Sequence, residues 1–214
     1  AGNAGVAVTS GTGSVTFDRT APTISSVSIN SDNDELTVTF AESVYDTDGG
    51  TGNLEVGDFA LSVDGGSADV GSSTPTSIAK TSQTEWVLGF STSGTATGSE
   101  VITVVPAGAT SIYDTAGNAA STTQSNNTAT FNDKAAPTLS SVSIASDNTT
   151  TTLAKVNDVV TLTLTARETI GTPTVTFQSG GEAITDTSIT YVNTSGNTWT
   201  AAYTADTDDT AGSV

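Results

Sequence analysis

The chain has 214 residues, 23 acidic against 5 basic side chains, a formal charge of −18, and no Cys, His or Met. Lacking His and Cys, it cannot build a Ser-His-Asp triad, thiol nucleophile, zinc finger, haem ligand or disulfide, and its charge repels phosphate backbones and anionic membranes. Hard, oxygen-only metal binding survives these exclusions, with calcium the foremost candidate.

The chain opens on Ala1-Gly2-Asn3, without an initiator Met or a charged-then-apolar leader; this start is expected of a processed chain or an excerpt from a longer one. No run approaches the ~18 apolar residues of a membrane span. From there the pattern is β throughout. Short bursts of period-two alternation, rich in Thr and Val, are bounded by Gly, Asn, Asp and Ser. In the first complete stretch they predict seven strands, at about 23–29, 35–41, 58–63, 75–80, 85–90, 100–105 and 127–131. Val159-Val160-Thr161-Leu162-Thr163-Leu164 and Thr198-Trp199-Thr200-Ala201-Ala202-Tyr203 continue the pattern. Many short strands punctuated by turns read as a β-sandwich, with helix only incidental.

The chain also repeats itself. Asp18-Arg19-Thr20-Ala21-Pro22-Thr23-Ile24-Ser25-Ser26-Val27-Ser28-Ile29 returns as Asp133-Lys134-Ala135-Ala136-Pro137-Thr138-Leu139-Ser140-Ser141-Val142-Ser143-Ile144. Trp86 and Phe90 return as Trp199 and Tyr203, Phe17 as Phe131, and Ala1-Gly2-Asn3-Ala4 as Ala116-Gly117-Asn118-Ala119. A period this long is a whole sandwich domain, well beyond a solenoid repeat of ~20–50 residues. The expected organisation is therefore residues 1–17 as the final strand of a preceding repeat or an exchanged strand, repeat one at 18–132, and repeat two at 133–214. Repeat two stops at Val214, the counterpart of Val101, and is expected to lack its last two strands. Such a sandwich is either part of a longer tandem array or is completed by a neighbour's N-terminal strand.

Leu36-Thr37-Val38-Thr39-Phe40-Ala41-Glu42-Ser43-Val44, Asp58-Phe59-Ala60-Leu61 and Tyr113-Asp114-Thr115-Ala116-Gly117-Asn118, with the Asp-x-x-Ala-Pro linker, resemble the bacterial Ig-like repeats of giant adhesins and surface-layer-associated proteins. The resemblance covers nearly all of repeat one. In repeat two it rests on the linker, residues 156–165 and the Trp199 strand. It implies tandem Ig-like antiparallel β-sandwiches acting as extracellular, non-enzymatic stalk modules of the cell surface, often stiffened by calcium between domains. Their partners would be neighbouring repeats or identical subunits. Two other functions stay open: a self-assembling filament or surface-layer subunit joined by strand donation, and an accessory module of a secreted polysaccharide-degrading enzyme.

Successive antiparallel strands send their loops to alternate poles. Asp18 in the leading linker, Glu42, Asp46 and Asp48 after the second strand, and Asp114 and Asn118 before the seventh should then share one pole. Asp133 should meet Glu168, the counterpart of Glu42, at the next junction. Calcium takes 6–8 oxygens from carboxylates and carbonyls, so Asp18, Glu42, Asp114, Asn118, Asp133 and Glu168 are the candidate ligands. Asp and Asn also cap turns by bonding their own backbone, and that alternative stays open for the same residues. Asp46, Asp48, Asp64 and Asp69 read as solvated.

Other chemistry fails on spacing. Asp206-Thr207-Asp208-Asp209 lacks the Gly and Glu of an EF-hand loop. Glu42 and Glu168 lie on different repeats, whereas glycosidase carboxylates face each other across one cleft. Trp86 and Trp199 occupy matching strand positions and are expected in the core. An isopeptide cross-link needs a buried Lys beside Asn and an acid, and Lys80, Lys134 and Lys155 fall near loops or linkers. Asn126, Asn148 and Asn193 begin glycosylation sequons of the kind a Thr-rich chain produces by chance.

Overall fold

The computed structural model describes residues 15–185 and 188–214, in two compact units, 1–135 and 136–214. Among the described residues every paired strand is antiparallel and the only helical element is a 3-10 turn at Val56–Asp58. The expected all-β class holds. Most of the strand expected within 1–17 lies outside the described residues.

In unit one the strands are β1 (Ile24–Ile29), β2 (Glu35–Phe40), β3 (Phe59–Asp64), β4 (Asp69–Val70), β5 (Ser77–Lys80), β6 (Glu85–Gly89), β7 (Thr92–Ser93), β8 (Val101–Pro106) and β9 (Thr128–Thr130). One sheet has the order β1-β2-β6-β5 and a second β3-β8-β9, while β4 and β7 form a small pair that the sequence pattern did not predict. Each seven-strand expectation matches an observed strand to within one or two residues, the usual uncertainty of strand ends.

Period-two alternation decides which side chains face inward. In β2, Leu36, Val38 and Phe40 are buried while the residues between them are not. Trp86 and Leu88 do the same in β6, and Ile102 and Val104 in β8. These residues form one core with Phe59 and Leu61 of β3, and Phe40 meets Phe59 with ring centroids 6.4 Å apart. Phe131, just after β9, packs on Phe90 at 6.1 Å. The edge of β1 is covered, since the Ile24 N–H donates to the Gln124 side chain at 2.8 Å.

Unit two contains β10 (Leu139–Ser146), β11 (Val159–Ala166), β12 (Gln178–Ser179), β13 (Glu182–Ala183), β14 (Thr190–Ser195) and β15 (Thr198–Thr204). Its main sheet, β10-β11-β15-β14, reproduces the β1-β2-β6-β5 order. The register bulge between Ile24 and Ser26 recurs between Leu139 and Ser141. Trp86 lies opposite Val38, and Trp199 opposite Leu164. The hairpin is longer, however: β10 and β11 have eight residues each where β1 and β2 have six.

Among the described residues unit two has no counterpart of β8 or β9, and its core is correspondingly small. Val160, Phe177, Ala201 and Tyr203 are buried together, with Phe177 and Tyr203 rings 4.8 Å apart. The expectation that both tryptophans lie in the core needs correction here. Trp86 is 1 % exposed, but Trp199 is only partly buried and stands outside the unit-two cluster. The reason is cover: Trp86 sits beneath a second sheet, and the described part of unit two lays no such sheet over Trp199.

Candidate functional site: an acidic cluster at one pole of unit one

Two loops meet at this pole because Tyr45 and Tyr113 form an antiparallel bridge, each N–H donating to the other's carbonyl at 2.8 Å. The apolar neighbours Val44 and Ile112 are fully buried and pin the bridge to the core. It brings Glu42, three residues before Tyr45, towards Asp114, the residue after Tyr113. Asp18 arrives from the leading linker. One carboxylate oxygen from each of Asp18, Glu42 and Asp114 lies within 4.8 Å of the other two.

Asp114 is fully buried, and its local structure explains how the loop tolerates that. Its Oδ1 accepts from the N–H groups of Ala116 and Asn118, both at 2.8 Å, and its Oδ2 accepts from the Asn118 side chain at 2.7 Å. Burial pushes its pKa up, but the Asn118 side chain and the loop amides outweigh that and hold it below the ordinary aspartate value. Gly117 completes the turn with a φ of 89°, and a Cβ there would lie 2.3 Å from the Asp48 carbonyl oxygen.

Glu42 has the opposite imbalance. Burial first, then the charges of Asp114 and Asp18, raise its pKa above the ordinary glutamate value. Asp18 is exposed, and one of its oxygens accepts the Thr20 N–H at 2.9 Å. Asp133 repeats that turn by accepting from Ala135 at 2.8 Å. Turn capping and membership of the cluster are thus compatible, because a carboxylate has about four lone-pair sites.

Of the six residues singled out in the sequence, Asp18, Glu42, Asp114 and Asn118 come together in unit one. Asp133 belongs to unit one and Glu168 to unit two. Asp48, Asp64 and Asp69 are exposed, as expected of solvated acids. Asp46 is not: it is half-buried, and its Oδ1 has no hydrogen-bond partner among the described residues.

The oxygen set fits a hard divalent cation. It offers one oxygen from each of three carboxylates, with the Asn118 side-chain amide holding Asp114 in place. Like charges this close cost on the order of 1 kcal/mol per pair in solvent. A divalent cation removes that cost and inverts the local preference for protonation.

Two further carboxylates escaped sequence reasoning. Glu100 is completely buried, yet accepts N–H bonds from Ser67, Ala68, Thr97 and Ser99 at 2.6–3.1 Å and the Thr97 hydroxyl at 3.1 Å. Burial alone would raise its pKa, but those amides bring it down to about 2. In unit two, Asp158 bonds the Lys155 ammonium and N–H and accepts the Asn148 side-chain N–H at 2.7 Å. The Lys155 ammonium first, then Asn148, hold Asp158 at about 2. Lys, Asn and acid therefore adjoin, in the β10–β11 loop where Lys155 was expected. The carboxylate is nonetheless held ionised, and the Lys155 side chain is 74 % exposed, so the group forms a loop staple lacking the protonated acid and buried amine of a cross-linking centre.

No family model, curated protein or solved structure matches this chain.

Proposed function

We propose that the chain is a non-enzymatic, extracellular structural segment, a stalk of tandem Ig-like β-sandwich modules, in which calcium binds at Asp18, Glu42 and Asp114 with Asn118 in support. The observation that carries this reading is the cluster itself: three carboxylates from three separate segments converge, and among the described residues no Lys or Arg forms a salt bridge with them. One of the three, Asp18, stands in the leading linker, so a cation held there would fix the linker against the two loops of the sandwich. Fixing a linker is how a chain of domains is made stiff.

Thermal unfolding with excess calcium and with chelator tests the reading. A cation that binds the folded state alone raises the melting temperature with concentration. Identical curves in the two conditions, together with unchanged small-angle scattering, reject calcium.

A second reading, a filament subunit joined by strand donation, is favoured by a different observation. Val15 and Phe17 are 98 % and 84 % exposed, although Phe131, the repeat counterpart of Phe17, is 2 % exposed.

A further inference from the structure

Three Asn-x-Ser/Thr triplets occur in the chain, at Asn126, Asn148 and Asn193. They are equivalent as motifs, but the fold treats their amide nitrogens differently. In unit two, Asn148 is half-buried, its Nδ2 donates to Asp158 at 2.7 Å and its Oδ1 accepts the Thr150 N–H at 3.1 Å. Asn193 is exposed, yet its Nδ2 donates to the Gly196 carbonyl at 3.0 Å across the β14–β15 turn. Either nitrogen must give up a structural bond before it can react.

Asn126 in unit one carries no such commitment. It is exposed just before β9, with a φ of 56°, and among the described residues its side chain makes no hydrogen bond. Thr128, which completes the triplet, is exposed with its hydroxyl equally free. Between them Asn127 is 8 % exposed and clamps the segment to β8. Its Nδ2 donates to the Val104 carbonyl, and its own carbonyl accepts the Val104 N–H, each at 2.9 Å. The middle residue thus anchors the triplet while the two that a transferase reads stay in solvent. The chain around it, from Thr115 to Asn132, has no charged side chain, so a phosphate-bearing donor meets less repulsion than the −18 charge of the whole would suggest.

We propose that Asn126 is an N-glycosylation acceptor, and that it is the one triplet of the three that the folded chain presents for modification. The donor is a sugar activated as a pyrophosphate ester, linked to a nucleotide or to a lipid. Asn126 Nδ2 bonds to the anomeric carbon, the bond from that carbon to the phosphate oxygen breaks, the phosphate leaves with the electron pair, and the amide nitrogen loses one proton. The proposal goes beyond the stalk reading and does not depend on calcium.

The test treats the folded whole chain with a soluble N-glycosyltransferase and a nucleotide-linked hexose, and in parallel with a lipid-linked oligosaccharide and its own transferase. Peptide mass mapping follows the rate at each asparagine. Asn126 should be labelled first by at least one donor class, which identifies the source. Asn148 and Asn193 should lag several-fold to about tenfold, the range that one net hydrogen bond sets. In urea-unfolded chain, diluted only enough for the enzyme to work, the three rates should converge. Asn126→Gln and Thr128→Ala should each lose the label at that position and keep the wild-type melting temperature, showing that the fold is intact. No label on the folded chain from either donor overturns the proposal. Equal rates at the three sites in the folded chain, or the same preference for Asn126 after unfolding, overturn it as well.

Discussion

Tyr45 and Tyr113 exchange both of their backbone hydrogen bonds at 2.8 Å, and this one bridge decides which carboxylates become neighbours. Glu42 and Asp114 are 72 residues apart in sequence and meet only because their loops are zipped there. The cluster is therefore a product of topology, and it is present in the folded chain only.

Its electrostatics predict an inversion of sign. The Glu42 pKa is raised in the folded state, so its ionisation opposes folding at neutral pH, and that penalty disappears as pH falls through the raised value. In chelator at pH 7, Glu42→Gln should leave stability unchanged or raise it slightly. In excess calcium the same substitution should lower the melting temperature relative to wild type. Calorimetry of both proteins in both conditions reads the four values, and a substitution effect that is the same with and without calcium contradicts the site.

Glu100 should give the opposite pH behaviour. Its folded pKa of about 2 lies below the ordinary value of 4.5, so it stabilises the fold above 4.5 and that contribution is lost as pH falls from there towards 2. Asp158 acts in the same direction from 3.8 to about 2 in unit two. Glu100→Gln should cost about 3 kcal/mol at pH 7, because amides oriented for a charge are left poorly paired. Urea denaturation at pH 7 and pH 3 should show the difference between variant and wild type shrinking at the lower pH.

The same carboxylate fixes its neighbours. Gly66 has a φ of 57°, and a Cβ there would lie 2.0 Å from Glu100 Oε1. Gly66→Ala should therefore destabilise unit one by about 2 kcal/mol or more, combining left-handed strain with displacement of a buried charge. An unchanged urea midpoint for this variant would mean that the loop shifts freely, and the buried carboxylate would then not be held as described.

Asn33 ties the first hairpin to the segment just after β9. Its Nδ2 donates to the Asn132 carbonyl and its Oδ1 accepts the Asn132 N–H, each at 2.8 Å, across 99 residues of sequence. It also holds a φ of 60°. Asn33→Gly keeps the backbone conformation but loses the clamp, while Asn33→Ala loses both. Gly should cost about 1–2 kcal/mol and Ala about 1 kcal/mol more. Equal costs would show that the conformation is irrelevant and the clamp alone matters.

The fold class was legible because period-two burial is a local property: Leu36, Val38 and Phe40 alternate in the sequence and in the core alike. The pole of the cluster was legible too, since antiparallel strand order fixes which loops share an end. Glu100 was not. Nothing in Thr97-Gly98-Ser99-Glu100 signals a fully buried carboxylate, because the amides that donate to it include those of Ser67 and Ala68, more than thirty residues away. Asp158 hid for a similar reason: Lys155 is a loop lysine as expected, but its pairing with Asp158 depends on how the 147–158 connection of unit two folds. Trp199 misled because a matching strand position says which face a side chain takes and not how much lies above it.

The unequal hairpins of the two units bear on folding fidelity. Adjacent repeats of similar sequence risk exchanging hairpins during folding, since each strand finds a near-copy of its partner nearby at high effective concentration. The β1–β2 connection spans residues 30–34, and the β10–β11 connection spans 147–158. A strand from one unit that paired with its analogue in the other would have to cope with a ladder of different length. Replacing the long hairpin with the short one should therefore raise the misassembled fraction on refolding from urea. The extra residues of the second hairpin would then serve as an address, keeping each repeat's strands with their own partners.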